Sequence, residues 1–173
     1  DEKKGLWILE HMRRLIEERN PDAILLGEVD VDVEAYKDYF GNNDRLNLVL
    51  NFWLNKYFYV SLARKSARPL RNAVNKMIVP PDSCCFANWL RNHDELDLEG
   101  ISQKDKQFVL DTFAPDEEMN VYQRGIRRRL APLLHNDRRR IELLNALLFA
   151  LPGTPVLYYG DEIGMGDNVY LGD

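Results

Sequence analysis

Ala23-Ile24-Leu25-Leu26-Gly27-Glu28 carries no polar side chain until a glycine and a carboxylate close it. A short unbroken apolar run of this kind is what a strand buried on both faces looks like. The flanking sequence extends the pattern. Residues 6–19 have the period of an amphipathic helix, with Ile8, Met12, Leu15 and Ile16 on one face and Asn20-Pro21-Asp22 as its stop. Residues 33–40 suit a short helix, closed by Gly41-Asn42-Asn43-Asp44, and residues 46–52 a second strand. Residues 56–77 read as helix interrupted near Pro69, and residues 85–90 as a third strand running into Arg91-Asn92-His93-Asp94-Glu95. Further on, Ser102 is placed to cap a helix reaching residue 113. Residues 138–151 form the clearest helix, with Ile141, Leu144, Leu148 and Leu151 on one face, Asp137 as cap and Pro152-Gly153 as stop. Pro155-Val156-Leu157-Tyr158-Tyr159 gives a fourth strand before Gly160-Asp161-Glu162, a tight loop. Strands alternating with helices predict an α/β fold with a parallel sheet and helical crossovers. The polar sequences follow the strands, where such folds, barrel or open, place their chemistry.

The composition excludes several classes. With 173 residues, 45% hydrophobic and 10% aromatic, the chain has the make-up of a folded domain and not of a disordered one. No 18-residue apolar run occurs, so no membrane partner is expected. The net charge of −5 argues against nucleic acid as a partner. Arg127-Arg128-Arg129 and Arg138-Arg139-Arg140 read as salt-bridged surface, with Glu142 one helical turn beyond Arg138. The adjacent Cys84 and Cys85 cannot build a disulfide scaffold, which suits a reducing, cytoplasmic location. No signal peptide opens the sequence, and a start at Asp1 suggests a processed or excerpted piece.

Two clusters could carry chemistry. Glu28 ends an apolar strand, where partial desolvation would raise its pKa and make it a general acid near neutral pH; an ordinary exposed loop glutamate fits the same position. Asn92-His93-Asp94-Glu95 gathers groups that can bind several hydroxyls at once, and Asp94 could stabilise a developing positive charge; a loop capping the next helix is the alternative. Asp30 and Asp32 read as solvated loop residues. Paired carboxylates at strand ends suit glycoside chemistry, provided the fold fixes their distance. His11, His93 and His135 fit no zinc spacing, and neither a Walker lysine motif nor Gly-x-Gly-x-x-Gly occurs.

Taken in order, Ile24-Leu25-Leu26-Gly27-Glu28-Val29, Leu90-Arg91-Asn92-His93-Asp94-Glu95 and residues 153–162 resemble the motifs at barrel strands five, seven and eight of the α-amylase superfamily of glycoside hydrolases. Residues 125–134, Asn136-Asp137-Arg138-Arg139-Arg140 and residues 160–168 are most similar to its trehalose synthase branch. The resemblance covers nearly the whole chain. It implies a single unit over residues 1–173, the C-terminal half (strands five to eight) of a TIM-type (β/α)8 barrel. A helical insertion, roughly residues 96–137, would separate strands seven and eight and serve as a pocket wall or lid. Glu28 matches the general acid/base, Asp94 the carboxylate that stabilises the transition state, and Asn92 and His93 the sugar-binding residues beside it. The implied activity interconverts maltose and trehalose by intramolecular glucosyl transfer. The alternatives are a hydrolase releasing glucose, or a half-barrel without catalysis.

Two departures qualify that match. No Gly-x-Arg-x-Asp pattern follows a strand, so the family's nucleophile is missing and the N-terminal half of a barrel is the expected partner. Val29-Asp30-Val31-Asp32-Val33 replaces the usual Gln-Trp-Pro after the catalytic glutamate, which bears on acceptor choice. The chemistry needs no cofactor. Structural calcium is common in the family, but its expected ligands lie mostly in the N-terminal half, so no metal ligand is assigned here.

Overall fold

Helix and strand alternate along most of the computed structural model, which describes residues 5–168. Asp1, on which the expectation of an excerpted piece rests, lies outside the described residues. The chain runs α1 (Trp7–Glu17), β1 (Leu26–Gly27), α2 (Tyr36–Phe40), β2 (Leu48–Leu50), α3 (Phe52–Ala63), α4 (Arg68–Lys76) and β3 (Cys85–Trp89). It continues through β4 (Leu96–Asp97), α5 (Gln103–Phe113), β5 (Asn120–Val121), β6 (Gly125–Ile126), α6 (Leu130–Leu133), α7 (Arg138–Ala150) and β7 (Thr154–Val156). Four strands form a parallel sheet in the order β1-β2-β3-β7. The order never reverses, whereas a doubly wound open sheet has a reversal point. Because the strands are parallel, the residues after β1, β2, β3 and β7 all emerge on one edge.

Asn51 links this sheet to its helices. It is 1% exposed and directly follows β2. Its Oδ1 accepts from Leu54 N at 3.0 Å, so α3 begins at Phe52, four residues before the helical pattern predicts. Its Nδ2 donates to Asn88 Oδ1 at 2.8 Å, and Asn88 in turn donates to Pro152 O at 2.9 Å, just before β7. Asn55 donates to Trp89 O at 2.8 Å and the Tyr59 hydroxyl to Leu90 O at 2.7 Å, so α3 also holds the end of β3. The expected interruption near Pro69 is a break between two helices, with Pro69 in the first turn of α4, where its missing N–H costs nothing.

Apolar residues collect in two cores. One packs Leu54, Phe58 and Tyr59 of α3 against Val109, Phe113, Leu130, Leu144 and Leu148. The other sets Phe86 of β3 between the rings of Tyr36 and Phe40, at 5.1 and 5.3 Å, edge to face. Residues 96–137 are not simply a helical insertion. Besides α5 and α6 they hold a three-stranded antiparallel sheet, β4-β6-β5, and Leu96, Leu98 and Ile126 are fully buried in the larger core.

Two expectations of burial fail at the margins, and a third element is open as well. Ile24 and Leu26 are 59% and 55% exposed, so β1 is not buried on both faces. On α1, Ile8, Met12 and Leu15 are exposed, and the buried residue is Arg13, which donates to Arg45 O at 3.2 Å. All of β7 is exposed. The reason is common to all three: β1 and β7 are the two edges of the sheet, and no described element covers those flanks.

Replacing Asn51 with alanine removes a helix cap and strands the Asn88 carbonyl in the interior. Urea denaturation of Asn51→Ala is expected to show a loss of about 2–4 kcal/mol.

Candidate active site

Glu28 stands directly after Gly27, the last residue of β1. A side chain at Gly27 would collide with Leu46, so the glycine lets the strand end pass close to the start of β2. Across the sheet, the loop after β3 is held from beneath. Arg91, 4% exposed, donates from Nη2 to Asp94 O at 2.7 Å and from Nε to Arg128 O at 2.7 Å. Asn92 Oδ1 accepts from Asp94 N at 3.2 Å and tightens the turn.

These two loops bring three expected site residues together. Ligating atoms of Glu28, His93 and Asp94 lie within 4.8 Å of one another. All three side chains are exposed, so the partial desolvation expected of Glu28 is not found. A hydrogen bond with Glu95, reinforced by burial, raises the pKa of Asp94. Burial would raise that of Glu95 too, but its hydrogen bonds with Asp94 and Arg124 bring it below the usual carboxylate range. Asn92, His93 and Asp94 line a cleft of about 450 Å³, whose far wall includes Tyr122, Arg128 and Tyr158. That volume falls in the range of small-molecule sites, about 300–1,000 Å³.

On the far wall the salt bridging expected of the first basic run is found at Arg128 and Arg129, but their surface placement is not. Arg128 and Arg129 are not free surface: their side chains are 13% and 15% exposed. Arg128 Nε donates to Asp167 Oδ2 at 3.2 Å, and Arg129 N donates to Asp167 Oδ1 at 2.6 Å. The Arg129 guanidinium also donates to Tyr159 O and stacks 4.6 Å from the ring centre of Tyr158. These arginines tie residues 96–137 to the loop after β7. The second basic run conforms to expectation, with Arg138 and Glu142 paired at 2.7 Å and largely exposed. Asp32 is exposed as expected, but Asp30 is not a free loop residue. Lys56 holds it at 3.1 Å, and burial, together with a hydrogen bond to Asp97, pushes its pKa up to about 6.

A hard cation such as calcium takes about 6–8 oxygen ligands. Among the described residues the only three-group cluster of ligating type is Glu28, His93 and Asp94, one imidazole and two carboxylates. It does not fit a calcium cage. Both cysteines are free. No helix among the described residues is long and apolar enough to cross a membrane.

Comparison with solved structures defines the fold. A sucrose 6F-phosphate phosphorylase from Thermoanaerobacter thermosaccharolyticum superposes over 92% of this chain and 33% of its own, with a TM-score of 0.74 at 20% identity. An α-amylase from H. orenii matches 96% of this chain and 28% of its own, with a TM-score of 0.63 at 23% identity. The fold is therefore that of a segment of the α-amylase-type enzymes.

Sequence narrows the relationship. The chain is 44% identical over 166 residues to a trehalose synthase of Thermus thermophilus and 39% identical over 175 residues to one of Pimelobacter sp.. A trehalose synthase/amylase of Mycobacterium tuberculosis is 40% identical over 169 residues. Each match takes in 95% or 96% of this chain but between 17% and 30% of the relative. Over nearly its whole length, then, the chain is homologous to a segment of proteins named trehalose synthase. No family model matches it.

Asp161 supplies a test of the far wall. Burial raises its carboxyl from 3.8 to about 6, against the pull of Arg129 and Arg91. The folded chain holds this proton more tightly than the unfolded chain, so its stabilising effect is full below about pH 4 and is lost as the pH rises through about 6. The urea midpoint should accordingly fall between pH 4 and 7, and fall less steeply in Asp161→Asn.

Proposed function

We propose that this chain contributes one half of a retaining α-glucosyl site, on strands five to eight of a (β/α)8 barrel. The observation that carries the proposal is the convergence of Glu28, His93 and Asp94 at one edge of a parallel sheet. The open flanks at β1 and β7 fit a sheet that continues into a closed barrel, as does the small share of each relative that the chain spans.

In this reading Glu28 protonates the departing glycosidic oxygen and later takes the proton of the attacking hydroxyl. Asp94 binds sugar hydroxyls and stabilises the oxocarbenium-like transition state, with Asn92 and His93 holding neighbouring hydroxyls. A retaining mechanism needs a nucleophilic carboxylate about 5–5.5 Å from the acid/base. Asp30 does not supply it, because its carboxylate is engaged by Lys56. The nucleophile comes from another barrel strand, beyond these residues. Maltose binds, its glucosyl unit is retained, and the released glucose turns to present its anomeric hydroxyl, giving trehalose. Water in place of that glucose gives hydrolysis, so the isomerase outcome requires a pocket that excludes water.

The test replaces the matching segment of the Thermus thermophilus trehalose synthase with this chain and follows maltose, trehalose and glucose by chromatography. The chimera is expected to form trehalose, and Glu28→Gln within it to lose about a hundred- to ten-thousand-fold in kcat with the fold retained. Retained turnover in Glu28→Gln defeats the assignment. Glucose as sole product makes the segment that of a hydrolase.

A further inference from the structure

Glu28 and Asp94 emerge from strands that are not neighbours. β2 lies between β1 and β3. Adjacent strands are about 4.8 Å apart, so the two strand ends are separated by about 10 Å and their loops must lean together over β2. A group that sets how far they lean has to rise from β2 itself or from the element after it.

Lys56 occupies that place. It lies on α3, whose start is fixed above β2 by Asn51. Its side chain is only 7% exposed. Nζ donates to the carboxylate of Asp30 at 3.1 and 3.2 Å and to the carbonyl of Glu99 at 2.6 Å, and stands 3.6 Å from Asp97 Oδ2. Asp30 is two residues beyond Glu28, and Asp97 three beyond Asp94. On the second side the partners are themselves anchored close by. Asp97 pairs with Gly125 in the small antiparallel sheet, and its Oδ1 accepts from Glu99 N at 3.0 Å. Asp30, Lys56 and Glu99 also border a side cavity of about 380 Å³.

We propose that Lys56 is a positioning residue: its buried ammonium latches the loop after β1 to β4 and the turn beyond it, into which the loop after β3 runs directly, and so sets the separation of Glu28 from Asp94. The ammonium has three protons, directed to Asp30, to the Glu99 carbonyl and toward Asp97. A buried ion pair is often no more stabilising than an apolar group of the same volume, so the Lys56 contacts contribute geometry more than overall stability. The importance of that geometry for catalysis rests on the acid/base reading of Glu28, but the latch is measured without it.

The experiment is hydrogen–deuterium exchange on the full chain at pH 7.5, with Lys56→Met, Asp30→Ala and Glu28→Gln. Lys56→Met is expected to speed exchange about ten-fold or more at residues 28–32 and 94–99, with β2, β3 and α3 unchanged. Asp30→Ala, which leaves Lys56 its contacts with the Glu99 carbonyl and Asp97, should loosen residues 28–32 and leave 94–99 protected. Glu28→Gln should move neither. In nitrogen-15 spectra the Lys56 ammonium protons should be sheltered from water in the parent chain and lost to exchange in Asp30→Ala. Unchanged exchange in both loops of Lys56→Met overturns the latch. So does an equal rise throughout α3 and the sheet, which would make Lys56 a general stabiliser. If Lys56→Met does not fold, loosening confined to residues 28–32 in Asp30→Ala upholds the latch, and its absence overturns it. Failure of the acid/base reading would show instead as retained turnover in the Glu28→Gln chimera, with these exchange patterns unaffected.

Discussion

Parallel registry across β1, β2 and β3 is the constraint on which the rest depends. It sends Glu28, Asn51 and the Arg91–Asp94 turn out on one edge of the sheet, and it separates the two carboxylate-bearing loops by one intervening strand. That intervening strand is then the natural source of scaffolding. Asn51, at its end, caps α3 and bonds Asn88 of β3; one turn further along α3, Lys56 reaches loops from both sides. Buried amides and a buried ammonium would be costly if left unpaired. Here each of these groups has partners on neighbouring strands or loops, so the penalty for breaking them enforces the arrangement of the site.

Residues 96–137 belong to the same arrangement. They contribute buried side chains to the larger core and form the wall of the cleft that faces Asp94. Arg91 and Arg129 work as internal fasteners, the first under the Asp94 turn and the second against the tyrosines after β7. A segment so placed is part of the body, and a lid that swings free would have to uncover Leu96, Leu98 and Ile126, all at 0% exposure.

Much of this was legible in the sequence. Apolar runs closed by glycine or a polar cluster gave the strand positions, and the caps at Ser102 and Asp137 are both made. The polar clusters at Glu28 and at residues 92–95 were legible because strand-end clusters are local features, and parallel order puts both on one edge of the sheet. What was not legible was long-range pairing. Arg138 has Glu142 one turn away and pairs with it in solvent, whereas Arg128 has no acidic residue within a turn and finds Asp167 39 residues on. Asp30 and Lys56 are 26 residues apart, and neither has a local pattern that announces the other. The apolar face of α1 and the run at Ile24 and Leu26 were read correctly as apolar, yet burial depends on a covering element, which hydrophobic period alone does not supply.

The central claim is that Glu28, Asn92, His93 and Asp94 address one sugar. Its most direct measurement is a nuclear magnetic resonance titration of the 173-residue chain with maltose, which detects weak binding. The account requires the resonances of Glu28 and of residues 92–94 to shift together along one binding curve, with Glu28→Gln still binding. Shifts confined to one of the two loops, to the open flanks at β1 and β7, or to neither would contradict it.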